Sequence, residues 1–446
     1  MKRTAAMILS LLLAIPAITA CTPQSESSSD ASAETSQVQT AESSASEEEL
    51  VISTESSNLI PMDGWSEIPA AEEDTKAEPG TLRAVYEPQF AEGFSIEYYH
   101  GGAKIIDIHF RETTSVQAQS QRILLLPDGA TEPVDAQWDQ QINGKVERVV
   151  TLASSHAGHF ANLSAIDTIK GTSISASSCR IPALAEALES GQAQTVTKKA
   201  DSDADTTKYF DQELVASLDP QVVFVGGMAE DITAAKKLQE SGFTCVYIGD
   251  FAEENYVGRA QWIELFGAFI DKEQEGHEFL RQSVEQANEV IARAEKIEEK
   301  PNVLWFTKSG TGASTQWFVK TDTDYTASFI HALGGNMIYP EGVEENSIAL
   351  SGESFLVELN RADKLIFGVS MASYPDATDM TFFNVEGAID FSATKAFQND
   401  DCYAVGNDWS QDTANIGEIM KDLAKALYPE EFSDIENPQK IVKFKR

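Results

Sequence analysis

The sequence predicts an α/β fold with two Rossmann-like lobes of mainly parallel sheet, joined by a single long helix and preceded by an N-terminal β-hairpin extension. Strand-like apolar runs alternate with helical segments, which is typical of parallel sheets covered by helices on both faces. The roughly 365 residues after residue 80 exceed one compact core, so two domains are expected. A long helical tract over residues 254–300 separates the two alternating sets and is the predicted connection.

The first twenty residues carry the pattern of a bacterial secretory signal. Lys2 and Arg3 precede an apolar stretch that is shorter than the ~20 residues of a membrane-spanning helix. Residues 18–21, Ile-Thr-Ala-Cys, then match a lipobox. We therefore expect residues 1–20 to be removed and Cys21 to carry a lipid such as palmitate, which would anchor the protein to the outer face of the cytoplasmic membrane. The alternative is an ordinary signal peptide with a chance cysteine.

Residues 21–80 are expected to form a disordered acidic tether. Ser, Glu, Thr and Ala dominate residues 25–57, and such a composition buries too little apolar surface to offset the entropy of ordering. The formal net charge of −38 belongs mostly to the part of the chain that follows. This acidity disfavours nucleic acid and anionic lipid headgroups as partners. The three cysteines beyond Cys21 give neither a disulfide framework nor a metal-ligand spacing.

The N-terminal lobe is predicted over residues 81–250. It opens with two strand-like runs around Gly101 and Gly102, which predict a hairpin. A loop over residues 153–156 is expected to lead into a helix that ends at residue 165. The other predicted strands are 122–126, 149–152, 168–172, 222–225 and 244–248, and the other helices are 181–188, 212–218 and 231–241.

The connecting tract has apolar residues three and four positions apart, as at Trp262 and Leu265, which indicates helix. A break near Asp271 divides it into a linking helix within residues 251–271 and a first helix of the C-terminal lobe, residues 272–446. That lobe has predicted strands at 303–306, 364–367 and 402–405 and helices at 326–333, 353–359 and 416–427. Ligands of such sheets bind near strand carboxyl ends at domain boundaries, so a cleft between the lobes is the predicted site.

Several segments share their order and spacing with one family over about residues 81–430. Residues 213–223 read Glu-Leu-Val-Ala-Ser-Leu-Asp-Pro-Gln-Val-Val and resemble the family stretch Glu-x-x-x-x-Leu-x-Pro-Asp. The other matching segments are residues 148–155, 171–173 with 181–182, 258–262 with 272–273, 324–325 with 334–336, 351–354 with 362–363, and 408–409. The chain thus resembles the solute-binding lipoproteins of ABC importers for iron–siderophore complexes, haem and cobalamin. Small polar residues at 175–179 replace aromatic residues of the cobalamin-binding members, which disfavours cobalamin.

The resemblance implies that Glu213 and Glu353 dock onto arginines of the permease. Each glutamate begins a helix in a different lobe, and two acidic side chains held a fixed distance apart would give register and steering. The alternative explanation is that Glu favours the first turn of any helix because it meets the positive end of the helix dipole.

Candidate ligand-binding residues lie in or beside the loops of the predicted cleft. They are Ser154, Ser155, His156, Arg180, Lys308, Trp317, Tyr325 and Trp409. Aromatic rings would lie against a flat chelate, and the cations would meet its negative charge. His156, with His159, could ligate haem iron or bind a siderophore; the alternative is a histidine that only donates to backbone near a helix start.

These observations predict an extracytoplasmic receptor that binds a ferric siderophore and passes it to an ABC permease with its ATPase. Cobalamin or haem is the alternative ligand, and a surface-anchored glycosidase is the alternative class. No nucleophile elbow is present, so no catalytic residue, resident metal or cofactor is assigned. We expect a monomer whose partners are the permease, a small metal chelate and, through the lipid, the membrane.

Overall fold

The structure, a computed structural model, describes residues 58–70, 76–110, 118–198, 209–310, 312–369, 379–385 and 389–444. The predicted signal peptide, Cys21 and most of the predicted tether lie outside these residues. Two lobes, each with parallel strands at the centre of its sheet, confirm the predicted α/β class. Within the described ranges, none of the helices is both long and apolar enough to cross a membrane.

A five-stranded sheet precedes the first lobe, where we predicted a hairpin and one further strand. Its strands lie side by side in chain order and are antiparallel except for the last pair. They are β1 (Leu82–Tyr86), β2 (Phe94–Tyr99), β3 (Lys104–Phe110), β4 (Gln119–Leu126) and β5 (Gln140–Asn143). The predicted hairpin is β2–β3. We call β1–β5 the accessory sheet.

The N-terminal lobe contains a parallel sheet in the order β12-β11-β6-β7-β8. Its strands are β6 (Val149–Thr151), β7 (Ile169–Thr172), β8 (Gln194–Thr195), β11 (Val222–Gly226) and β12 (Cys245–Ile248), and β9 (Thr197–Lys198) pairs with β10 (Tyr209–Phe210) beside it. Its helices are α1 (Ser154–Asn162), α2 (Pro182–Ser190), α3 (Gln212–Ser217) and α4 (Ala229–Glu240). Every residue of β11 is buried, as expected of a central parallel strand, and so is every residue of β12 at the edge of the sheet.

Two consecutive helices follow, α5 (Tyr256–Phe269) and α6 (Glu273–Ala294), with the predicted break between them. Asp271 adopts a positive φ of 56° at this break. Every residue of α5 is buried. A helix that is buried all round is packed on every side, and α5 contacts α1, α6, α7 (Tyr325–Ala332) and the accessory sheet.

The C-terminal lobe is built on a mixed seven-stranded sheet. Its central strands β13 (Asn302–Ser309), β17 (Lys364–Phe367) and β18 (Cys402–Val405) are parallel. The other strands are β14 (Gln316–Lys320), β15 (Asn336–Met337), β16 (Ser347–Leu350) and β19 (Ile441–Lys443), and the remaining helices are α8 (Gly352–Arg361), α9 (Lys395–Gln398) and α10 (Ile416–Leu427). Strands β14, β16 and β19 pair antiparallel.

Residues 58–70 differ from the tether that we predicted for that stretch. Ile60, Trp65 and Ile68 are buried there. The side-chain amide of Asn288 on α6 pairs with both backbone groups of Ile60, at 2.8 and 2.9 Å. These three large apolar side chains within nine residues bury enough surface to fix the segment.

Candidate functional site

Loops at the carboxyl ends of strands from both lobes meet beside α1. In the first lobe these loops follow β6 and β7, and in the second the relevant loop follows β18. The turn Trp409–Gln411 lies against α1, and the Ser154 hydroxyl lies 3.3 Å from the Ser410 carbonyl oxygen, which accepts its hydrogen bond. The predicted ligand loops therefore come together at this point.

An aromatic group surrounds Trp409. Its ring centroid lies 5.5 Å from that of Trp305 and 6.0 Å from that of Phe329. The Trp409 indole N–H donates to the Tyr325 hydroxyl at 3.3 Å. Trp409 and Tyr325, both predicted as ligand contacts, are thus neighbours, and both are half-buried.

Arg259 of α5 lies between the lobes and is only 4 % exposed. Its guanidinium carbon lies 4.3 Å from the ring centroid of Phe251 in the N-terminal lobe and 4.3 Å from that of Tyr325 in the C-terminal lobe. The fully buried Asp250 faces it, with 3.5 Å between Oδ2 and Nε. Burial raises the pKa of the Asp250 carboxyl. A charge between two rings couples the lobes through the start of the linking helix.

The loop that follows β7 is polar. The Ser175 hydroxyl contacts the hydroxyls of Ser177 and Ser178 at 3.1 and 2.7 Å. The Arg180 guanidinium donates to the carbonyl oxygens of Ser177 and Cys179 at 3.0 and 2.9 Å. Hydroxyls and one guanidinium are therefore the groups that this loop offers to a ligand.

The structure places Ser155, His156 and His159 in the core, which corrects their predicted cleft position. The helix begins at Ser154, earlier than predicted, so these side chains lie on its inward face. The centroids of the two imidazoles lie 5.3 and 4.7 Å from that of Phe266. Burial lowers the pKa of each histidine to about 3. Both rings are therefore neutral and closed off from a ligand.

Trp317 is also a core residue rather than a cleft residue. It lies in β14, is 1 % exposed and stacks on Phe355 at 4.4 Å between ring centroids. We predicted that Trp317 lies in or beside a loop of the cleft, but its strand pairs with β13 and places the indole in the core of the C-terminal lobe.

Lys308 lies near the end of β13, beside the rings of Phe382 and Phe383. Its ammonium nitrogen is 4.6 Å from the centroid of the first ring and 5.3 Å from that of the second. Burial lowers the pKa of this lysine. Phe382 is one-third exposed, so this cation and ring form a second polar–aromatic edge of the C-terminal lobe.

A family model described as "Periplasmic binding protein" matches residues 149–408, more than half of the 446-residue chain. The chain belongs to the periplasmic binding protein family. This membership confirms, at the level of the family, the resemblance in its sequence. This family consists of binding proteins rather than enzymes, which leaves the glycosidase alternative without support. As a periplasmic binding protein, the chain is extracytoplasmic.

Relatives include two uncharacterized lipoproteins of Methanocaldococcus jannaschii. One is 25 % identical over 222 residues, which are 49 % of this chain and 50 % of the relative, and the other is 24 % identical over 234 residues, 51 % and 57 %. The chain thus spans about half the length of these curated relatives.

Solved structures with a similar fold share little sequence with this binding protein. A possible iron-binding, periplasmic solute-binding protein from Staphylococcus epidermidis is 18 % identical with a TM-score of 0.45, covering 64 % of this chain and 99 % of its own. The siderophore-binding protein BauB is 16 % identical with a TM-score of 0.48, covering 64 % and 93 %. The haem-binding protein HmuT is 19 % identical with a TM-score of 0.47, covering 64 % and 85 %.

The two predicted docking glutamates are exposed, one on each lobe of the binding protein. Glu213 is the second residue of α3, and Glu353 is the second residue of α8. Asp211 and Ser351 cap these helices by accepting from a backbone amide three residues on, at 3.1 and 3.2 Å. Neither glutamate is ion-paired with another residue in the described ranges. Both carboxylates are therefore available to a basic partner.

Two residues of the lobe junction were missed from the sequence. Arg259 had one signal, a lone cation within the apolar stretch of residues 256–269. Gln411 had no such signal, because a glutamine two residues after a tryptophan is unremarkable in sequence. Its position becomes informative only when the two lobes are placed together.

Proposed function

We propose that this periplasmic binding protein is the lipid-anchored receptor of an ABC importer, and that it captures a ferric siderophore for delivery to the permease. One observation carries the ligand class. Trp409 and Tyr325 stand beside a loop that offers hydroxyls and Arg180, because Gln411, two residues after Trp409, contacts that loop directly. Aromatic faces beside a cation and hydroxyls suit an anionic chelate with conjugated arms.

The burial of both histidines supports a siderophore over haem. Haem iron in proteins is commonly held by histidine, and His156 and His159 are enclosed against Phe266. The small hydroxyl-bearing loop at residues 175–179 likewise favours a polar chelate over the large corrin face of cobalamin. A siderophore is held through its own oxygen-rich chelate, so no protein side chain has to ligate the metal.

Titration of the purified protein with a ferric hydroxamate, a ferric catecholate, haem and cobalamin tests the ligand class. We expect one ferric siderophore to quench tryptophan fluorescence saturably, and Trp409→Phe to remove much of that quenching. Trp138→Phe, in the accessory sheet region, is the matched control and should leave it unchanged. Saturable binding of haem or cobalamin alone would replace the siderophore assignment, and no binding of any of the four would refute it.

Delivery is proposed to use the two exposed glutamates. Glu213→Ala combined with Glu353→Ala should abolish uptake of the chelate by cells while its dissociation constant stays unchanged, because both carboxylates are exposed at the starts of α3 and α8, outside the elements that carry Trp409 and Tyr325. Glu186→Ala combined with Glu189→Ala, on α2, is the control with two equally exposed carboxylates and should retain uptake. Loss of chelate affinity in the first variant would contradict a docking role.

A further inference from the structure

Residues 408–412 of the C-terminal lobe make a continuous contact with the N-terminal lobe. The Ser154 hydroxyl donates to the Ser410 carbonyl oxygen at 3.3 Å, near the start of α1. The Asn162 side-chain amide donates to Asp412 Oδ1 at 2.9 Å, at the end of the same helix. The contact therefore follows the length of α1, on a route separate from the linking helix α5.

Gln411 is the central residue of this contact and is 6 % exposed. Its amide oxygen accepts from the backbone N–H of Arg180 at 2.8 Å, and its amide nitrogen donates to the Ser178 carbonyl oxygen at 2.9 Å. A side chain from one lobe thus pairs with two backbone groups of the polar loop in the other lobe. Paired donor and acceptor contacts fix the orientation of that loop as well as its distance.

Gly158 allows this approach. A Cβ atom at this position would lie 1.8 Å from the Gln411 carbonyl oxygen, so only glycine lets α1 pack this closely. On the opposite side, the buried Lys440 ammonium binds Asp408 at 2.9 Å and Asp412 at 2.8 Å. The segment is therefore tied to its own lobe at both ends while it presses against the other lobe.

We propose that residues 408–412 form an interlobe clasp that holds the lobes together before any ligand binds, and that Gln411 is the positioning residue through which closure sets the shape of loop 175–180. The proposal of a clasp rests only on these interlobe contacts. The consequence for ligand binding rests on the proposed function, because it takes that loop as part of the chelate site.

Pulsed electron–electron resonance between spin labels on the two lobes tests the clasp without any ligand. Labels at Glu189→Cys on α2 and Asn360→Cys on α8 occupy exposed positions, and the native thiols Cys179, Cys245 and Cys402 are buried. The measurement uses the mature chain with Cys21→Ser. We expect one narrow distance distribution for this otherwise unchanged protein.

Gln411→Ala combined with Asn162→Ala removes three interlobe hydrogen bonds and should raise the population of longer distances roughly tenfold. Asn288→Ala is the matched control, because its amide also pairs with two backbone groups, those of Ile60, without spanning the clasp. Gly158→Ala should produce the same lengthening by displacing Gln411. An unchanged distribution in both clasp variants, or a broad one in the parent, would overturn the proposal, and circular dichroism melts identify any variant that fails to fold.

The positioning role of Gln411 has its own readout. In the ligand-bound protein, Gln411→Ala should accelerate chelate release about tenfold, and Gln411→Glu, which keeps the acceptor but repels the Ser178 carbonyl, should do so at least as strongly. Unchanged release rates with altered label distances would keep the clasp and refute the positioning role. Failure of every chelate to bind would refute the proposed function and leave the distance result standing.

Discussion

The linking helix α5 has two unlike sides, and the first faces the accessory sheet. There the Glu264 carboxylate accepts from the Tyr86 hydroxyl at 2.6 Å and pairs with His277 Nδ1 at 2.8 Å. The Gln261 side-chain oxygen accepts from the backbone amides of Phe90 and Ala91 at 2.8 and 3.0 Å. Glu264 and Gln261 are therefore held by short hydrogen bonds, although His277 Nε2 has no hydrogen bond of standard geometry among the described residues and burial still raises the pKa of Glu264.

The second side faces the lobe junction and carries Arg259 and Phe266, seven residues apart on one stripe. Among the described residues, no hydrogen bond of standard geometry reaches the ring nitrogens of His156 and His159, and the Asp250 carboxylate has only its 3.5 Å contact with Arg259. These groups are nonetheless fully or almost fully buried. Each buried polar group without a partner costs about 1–3 kcal/mol, and hydration would return that free energy.

This contrast indicates which side of α5 is held rigidly. The accessory sheet binds α5 through hydrogen bonds to Glu264 and Gln261 and holds it as a fixed strut. On the junction side the buried polar groups have fewer hydrogen bonds, so we expect that side to resist movement less.

We expect the largest loss of folding stability from mutation of the α5 side that faces the accessory sheet. Glu264→Ala removes the shared partner of a tyrosine and a histidine inside the protein, and we expect the free energy of unfolding to fall by about 3–5 kcal/mol. Urea denaturation monitored by circular dichroism measures it. Glu275→Ala, on the exposed side of α6, is the control and should change it by less than about 0.5 kcal/mol. A loss below about 1 kcal/mol for Glu264→Ala would mean that the sheet side is no firmer than the junction.

The ion pair of the junction should show the next largest effect. Arg259→Met leaves the Asp250 carboxyl buried without its only cation within 4 Å among the described residues, and should cost about 3 kcal/mol. The double change with Asp250→Leu should cost less than that single change, because removing both buried charges also removes their desolvation penalty. Urea denaturation of the four proteins completes the double-mutant cycle. Additive losses would show that the two side chains are not coupled, and a double change that costs more than Arg259→Met alone would make the junction pair a net stabilising contact.

The order of elements could be predicted from sequence because it depends on local patterns. Apolar alternation identified β2 and β3, buried runs identified β11, β13 and β17, and Asp271 marked the break between α5 and α6. Glu213 and Glu353 were placed in first helical turns for the same reason, since capping and the helix dipole act within one turn.

The parts of the fold and of the site that were not predicted depend on contacts between segments that are far apart in the sequence. Strand β14 reads as a loop around Trp317 until β13 and β16 are placed on either side of it. His156 has the same local sequence whether α1 presents it to a cleft or to Phe266, and the start of the helix at Ser154 decides between them. Gln411 likewise acquires its role only through the distant residues Arg180 and Ser178, and Arg259 spans the lobe junction only through its contact with Tyr325.

The histidines of the junction make stability depend on pH. Their folded pKa of about 3 lies below the ordinary value of 6.5, so the unfolded chain binds more protons as the pH falls through 6.5. The free energy of unfolding is therefore not reduced by these histidines above pH 6.5, and it falls as the pH drops from 6.5 to 3. At pH 5 the loss is about 2 kcal/mol per histidine relative to pH 7.

Glu264 and Asp250 act in the opposite direction, because burial raises their pKa and the folded protein then binds protons more readily as the pH falls. The histidine contribution is therefore measured as the difference in pH dependence between a histidine variant and the unchanged protein. His159→Gln should lessen the fall in unfolding free energy between pH 7 and pH 5 by about 2 kcal/mol relative to the unchanged protein. An unchanged fall would show that water already reaches this imidazole, and the contrast between the two sides of α5 would be lost.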